Sequence, residues 1–300
     1  MEISRFFMNG DMKGAIAYMR KHAEFQAVLP AYVAIFENGE YRTYDVPDIL
    51  NRILRLYQVY YRDTFYCGLT EPDAAGRLLS GLRALSGLPD DADEPLLTET
   101  LRSVFEANGC HALFGKTQGY YGPYIWRETV PTVYSVELPE GVEEYTVNIL
   151  KGFVFRGWMD YLTFGKYGTN GWASPDGTIN CIEQAYDFAS ERFLVSLLKH
   201  EAQHLADMKR FPPITPTELE YRAKLVELCY ASDRGLLQKF LSEADESRPN
   251  DSHAQASAKI RLGFADTNQT KIPNIQARAL ELLAAHTKEM EEKYGRQKVD

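Results

Sequence analysis

Cysteine is scarce in this chain, and the four residues present (Cys67, Cys110, Cys181 and Cys229) stand far apart, with no Cys-x-x-Cys pair. That spacing excludes a thiolate metal cluster and a disulfide framework, and it suits a reducing cytoplasm. Long hydrophobic runs are missing too. Nothing approaches the about 18 consecutive apolar residues of a membrane span. Met1-Glu2-Ile3-Ser4-Arg5 lacks the basic and apolar regions of a secretory signal, so a cytoplasmic location is expected. Basic runs are absent as well. The 33 Lys and Arg stand against 42 Asp and Glu, for a net charge of −9, so nucleic acid is not expected as a partner. There is no internal repeat. What remains is an ordinary globular composition, 45% hydrophobic and 25% charged, long enough for two domains with a sizeable core.

Histidine is sparse as well, six in 300 residues, and two of the six are placed tellingly. The run Phe193 to Met208 has helical period and contains His200-Glu201-Ala202-Gln203-His204. On a helix, positions i and i+4 share one face, so both imidazoles can aim at one point, as a zinc ion requires of two nitrogen ligands. Glu201, one residue round, can reach a metal-activated water without binding the metal, the position of a general base. Three fixed positions match by chance in roughly one such chain in a hundred. Leu194, Leu197, Leu198, Glu201, His204, Leu205 and Met208 fall on one broad face, which predicts that the pair points inward.

An open catalytic zinc site takes three protein ligands. Pro212-Pro213 end the first helix, and Thr215-Pro216-Thr217-Glu218 then reads as an N-cap, a first-turn proline and the N3 acid of a capping box. With Glu218 turned back to the cap, Glu220 is the ligand candidate on the second helix. The short connection allows the two helices to lie side by side.

HExxH followed on a second helix by Glu220-x-x-Ala223 resembles the gluzincin branch of the zincin metallopeptidases, over roughly residues 145–230. The resemblance implies Zn2+ held by His200, His204 and Glu220, with Glu201 as base. It implies an antiparallel edge strand above the helix that holds extended substrate, around 165–173 or 178–182. A plain surface hairpin accounts for those segments equally well. Many gluzincins carry an Asp one turn after the third ligand, to orient a ligand His. That position is Lys224 here, leaving Asp207 or a backbone carbonyl for the task. No His lies between His204 and His253, so the metzincin pattern is absent.

Along the rest of the chain, residues 1–88 read as a helical region, 96–241 as a zincin-like metallopeptidase domain and 252–300 as a helical C-terminal region. Helices are predicted over Met12–Glu24, Asp45–Phe65, Glu71–Leu85, Leu96–Asn108, 231–241 and Ile275–Tyr294. A hairpin turned at Asn38-Gly39 is predicted over 34–44, strands over 132–138 and 145–150, and a linker over 86–95. The sum is an α+β fold, mainly helical, with a small antiparallel sheet packed by the HExxH helix. His253 and His286 are within conceivable reach of the metal, and Tyr221, Tyr230, Tyr167 and His253 are candidates for a second electrophile. The expected function is that of a hydrolase, a zinc metalloprotease acting on a peptide or protein. A zincin-like scaffold with a structural or inactive metal site, working as an interaction protein, is one alternative. A metal-dependent hydrolase of a non-peptide amide is the other.

Overall fold

A computed structural model describes residues 2–266 and 271–295 of the chain. Of the predicted C-terminal helical region, 267–270 and 296–300 lie outside the described residues. The architecture is α+β and mainly helical, with small antiparallel sheets. Among the described residues, no helix is long and apolar enough to cross a membrane.

Two compact units divide the chain, and neither is continuous in sequence. The first takes the chain up to Glu128 together with Leu150–Thr169. The second takes Thr129–Ile149 together with the chain from Asn170 onward. The stretch 86–95, predicted as a linker, joins two helices of the first unit, Glu71–Ser86 and Glu94–Ala107, and Arg83 Nε donates to the Ala92 carbonyl within it.

In the first unit the helix Asp48–Arg62 buries Ile53, Leu54, Tyr57, Tyr60 and Tyr61 along one stripe, as its period predicts, but Leu50 is buried where the period puts Ile49, which is half-buried. The predicted hairpin over 34–44 is not formed. Leu29–Tyr32 and the wider-turned Val33–Glu37 are helical instead, and bury Tyr32, Ile35 and Phe36. Asn38-Gly39 ends this helix, with Gly39 at φ +73°, rather than turning a hairpin. The C-terminal carbonyls of Phe36 and Glu37 accept from the Arg62 guanidinium. A sequence pattern shared by I′ turns and helix stops was decided by that arginine and by the apolar residues before it.

The second unit contains a four-stranded sheet of β1 (Glu128–Leu138), β2 (Gly141–Lys151), β3 (Gly171–Ala173) and β4 (Ile179–Ile182), in the order β1-β2-β4-β3. β3 and β4 are antiparallel, with Trp172 opposite Asn180. β3 is therefore an edge. Five helices accompany the sheet. α1 runs through three consecutive segments, Glu191–Phe193, Leu194–Lys199 and His200–Arg210; α2 is Pro216–Cys229, α3 Gly235–Glu243, α4 Ser252–Gly263 and α5 Ile272–Tyr294. The helix predicted over 231–241 starts later, after a break that follows Cys229, and α4 falls within the region 252–300 predicted as helical, where the sequence bounds no separate helix.

α2 is the axis of the unit and touches α1, α4 and α5. Leu225, Val226 and Leu228 fill the core beside Phe193 and Leu197 of α1. Its buried charges are all partnered: Arg222 Nε lies 2.8 Å from Asp207, Lys224 Nζ 3.2 Å from Glu243, and Glu227 2.7 Å from His200. Unpaired, each would cost several kcal/mol, on the order of 3–5. The pairings thus fix how α2 is rotated, and with it where Glu220 points.

Candidate metal centre

α1 does not keep one period. Leu194–Lys199 winds more widely, with i→i+5 hydrogen bonding, and the regular α-helix resumes at His200. The wide turn shifts the phase of the upstream residues relative to HExxH. Leu194 (40% exposed) therefore faces outward, against the single-face prediction; Met208 (37%), in the regular part of the helix, is exposed as well, while Ala202, Gln203 and Asp207 are buried with His200 and His204. The prediction that the histidine pair points inward holds. Their side chains are 11% exposed and their ring centroids 4.6 Å apart.

The turn into α2 forms as its sequence predicts. The Glu218 backbone N–H donates to Thr215 Oγ1 (3.3 Å), and the Thr215 N–H donates to Glu218 Oε2 (2.9 Å). Burial opposes ionisation of Glu218, but hydrogen bonds from Lys293, Thr215 and Tyr294 outweigh it and hold its carboxyl down at about 2. Glu218 is fully occupied, and Glu220 is left to face α1.

Glu220 Oε1 lies 3.5 Å from His204 Nε2, and Oε2 lies 3.5 Å from His200 Nε2. The ligand atoms of the three residues fall within 4.8 Å of one another. A tetrahedral zinc with bonds of about 2.0–2.1 Å sets its ligands about 3.4 Å apart. The cluster therefore fits a small divalent ion in both spacing and donor set, two imidazole nitrogens and one carboxylate oxygen. That donor set suits several first-row metals.

The surroundings orient the ligands. His200 Nδ1 meets Glu227 Oε1 at 2.7 Å. Burial lowers the His200 pKa, but the hydrogen bond and charge of Glu227, with Glu201 and Glu220 nearby, raise it overall to about 8. Burial pushes the Glu220 carboxyl up, and contacts with His204 and His253 and the charge of His200 pull it well below the ordinary carboxylate range. Neither sequence candidate for the orienting partner serves at His200: Asp207 is engaged by Arg222, and His200 Nδ1 meets a carboxylate rather than a backbone carbonyl. Lys224, at the position of the family's Asp, turns away to Glu243 and the Phe240 ring. Glu227 does the work. Its signal was available, since seven residues after Glu220 is two turns along the same face. His204 Nδ1 is buried and has no hydrogen-bond partner among the described residues.

Glu201 sits beside the trio, and its Oε2 accepts the Ala173 backbone N–H at 2.9 Å. Edge strand β3 thus reaches the predicted base directly. Gly171 makes the approach possible: a Cβ there would lie 2.3 Å from Leu197 Cδ1. Of the two candidate segments, 171–173 is the sheet edge, and it is also one arm of a hairpin with β4. His253, at the start of α4, brings Nδ1 to 2.9 Å from Glu220 Oε2. Tyr221 packs edge-on against His286, and Tyr230 lies under Lys199; Tyr167 belongs to the first unit. A residue missed by sequence reasoning is Tyr186. Burial, together with charges that include Glu201 and Glu227, raises its phenol to about 12.

Set against models of known protein families, curated proteins and solved structures, the chain matches none.

Proposed function

We propose that the protein is a zinc-dependent hydrolase of peptide bonds, a metalloprotease with a gluzincin-like site. The observation that carries this reading is the convergence of His200, His204 and Glu220, whose ligand atoms lie within 4.8 Å of one another, with Glu201 on the same helix held by the Ala173 N–H. A structural metal site has no need of that fourth, non-ligating acid. The Lys224 departure from the gluzincin pattern loses its force because Glu227 orients His200.

Zinc held there supplies Lewis acidity, polarising a carbonyl and acidifying a water. Glu201 takes the proton of the attacking water and returns it to the leaving nitrogen. The Ala173 N–H keeps the Glu201 carboxylate turned toward the site while it waits. Four free thiols accord with work in a reducing cytoplasm on a peptide or protein substrate.

Metal content by mass spectrometry, on purified wild type and His204→Ala, tests the site. About one zinc per chain, lost in the variant, is the expected result. No metal in either after zinc is supplied would leave the cluster as a set of His–Glu ion pairs. Bound zinc without cleavage of a diverse peptide library would move the assignment to a non-peptide amide or to a non-catalytic scaffold.

A further inference from the structure

His253 stands at the metal-binding carboxylate without belonging to the ligand cluster. The mutually close set is His200, His204 and Glu220, and His253 does not join it. Its Nδ1 nevertheless lies 2.9 Å from Glu220 Oε2, the shortest approach any of the three neighbouring histidines makes to that carboxylate. The other oxygen, Oε1, faces His204. The two oxygens of Glu220 are therefore unequal: Oε2 lies near both His253 and His200, and Oε1 near His204.

The contact is built into the fold. His253 falls in the first turn of α4, whose cap is Asp251 Oδ1 accepting the Ala254 N–H at 3.0 Å. Gln255 Nε2 lies within hydrogen-bond reach of the carbonyls of Asp245, Glu246 and Arg248 and so pins the loop that leads into the helix. Arg261 ties the same loop through the Ala244 carbonyl and the Glu246 carboxylate. Ala254, Ala256 and Ala258 are buried, which lets α4 approach α2 closely. Against this rigid frame the His253 side chain is 62% exposed, so packing of its own ring does not explain its position.

We infer that His253 is a positioning residue that occupies one oxygen of Glu220 and so holds Glu220 as a one-oxygen metal ligand. The inference rests on the metal-site reading above. A carboxylate free to use both oxygens chelates, and chelation takes up a coordination position. A side chain held against Oε2 at 2.9 Å would leave Oε1 to the ion and the fourth position to water, the arrangement an open catalytic site needs. The sequence offers His253 as a residue within reach of the metal but not in this role, because it lies 33 positions beyond Glu220 on a helix with weak period.

The test compares full-length wild type, His253→Ala and His253→Asn, since Asn keeps a side-chain N–H near the position of Nδ1. Alanine suits an exposed helical site, and circular dichroism checks that the fold is retained. Zinc affinity is read by competition with a chromogenic chelator, and coordination number by the visible absorption of the cobalt-loaded proteins. The expected result is that His253→Ala binds zinc about 10–100-fold more weakly. Its cobalt bands should weaken as the ion gains a coordination position, and His253→Asn should retain both properties. Wild-type affinity and spectrum in His253→Ala would overturn the inference while leaving the metal site intact. Loss of one nitrogen ligand in the X-ray absorption of His253→Ala would overturn it by making His253 a ligand. Failure of wild type to bind zinc or cobalt would take down the metal-site reading itself, and this inference with it.

Discussion

Glu201 and Glu220 are carboxylates of one site set to different work by their neighbours. Glu220 lies between three imidazoles that hold it ionised, whereas Glu201 meets a backbone N–H and no imidazole contact. The change Glu201→Gln keeps the shape and the Ala173 contact but removes the proton acceptor. Metal content should stay at the wild-type level while turnover falls by about 10²–10⁴, the usual worth of a general base. Full turnover in Glu201→Gln would remove that residue from the mechanism. A second histidine carries a different prediction. Burial, then the charges of Arg222 and Lys259, lowers His286 from 6.5 to about 4, so the folded chain keeps it neutral where the unfolded chain protonates it. Its folded pKa is depressed, and neutral His286 carries no penalty above pH 6.5. Stability should fall as pH drops from 6.5 towards 4, by about 2 kcal/mol between pH 7 and pH 5. Urea denaturation of wild type and His286→Gln, both with chelator, measures it. Equal losses in the two proteins would assign the acid sensitivity elsewhere.

At the scale of elements, what was legible in the sequence was what local chemistry decides. Thr215, Pro216 and Glu218 spell the start of α2 within four residues, and the box forms with both of its hydrogen bonds. The His200–His204 spacing needs only one helical turn, and it survives. Patterns that extend a period across a longer span fared worse. The wide turn at Leu194–Lys199 broke the phase that placed Leu194 inward, and no residue in LVSLLK announces such a turn. The bounds of α4 went unread within the predicted helical region 252–300, because its buried side chains include the small residues Ala254, Ala256 and Ala258, which carry little hydrophobic signal. Asn38-Gly39 fits two structures, and a distant arginine chose between them. The approach of β3 to α1 gives the prediction at this scale. A Cβ on Gly171 meets Leu197 Cδ1 at 2.3 Å and the Asn180 carbonyl at 2.9 Å, inside a filled core. Gly171→Ala should push the strand off the helix, cost about 1–3 kcal/mol, and lower turnover by loosening Ala173 from Glu201. An unchanged urea midpoint would mean that Leu197 yields and the contact is slack.

For the molecule as a whole, the units are stitched from non-adjacent pieces of chain: Leu150–Thr169 joins the first and Thr129–Ile149 the second. Local period carries no record of that exchange, since it is written in strand pairing between distant segments. The division decides where metal should act. His200, His204, Glu220, Glu227 and His253 all belong to the second unit, on α1, α2 and α4. An ion bound there joins α1 to α2, with α4 attached through His253 at Glu220, where in its absence core packing and ion pairs hold the helices; a ligand bound only to the folded state adds about 2.7 kcal/mol at 100 times its Kd. Zinc should therefore slow amide hydrogen exchange across α1, α2 and α4. Helices of the first unit such as Asp48–Arg62, which contribute no ligand, should exchange at their former rates. Exchange followed by mass spectrometry on the full chain, with zinc and then with chelator, reads both units in one experiment. Protection that rises equally in Asp48–Arg62 would show that the two units unfold as one cooperative body. Protection confined to α1, α2 and α4 would show that the unit carrying the site answers the metal alone.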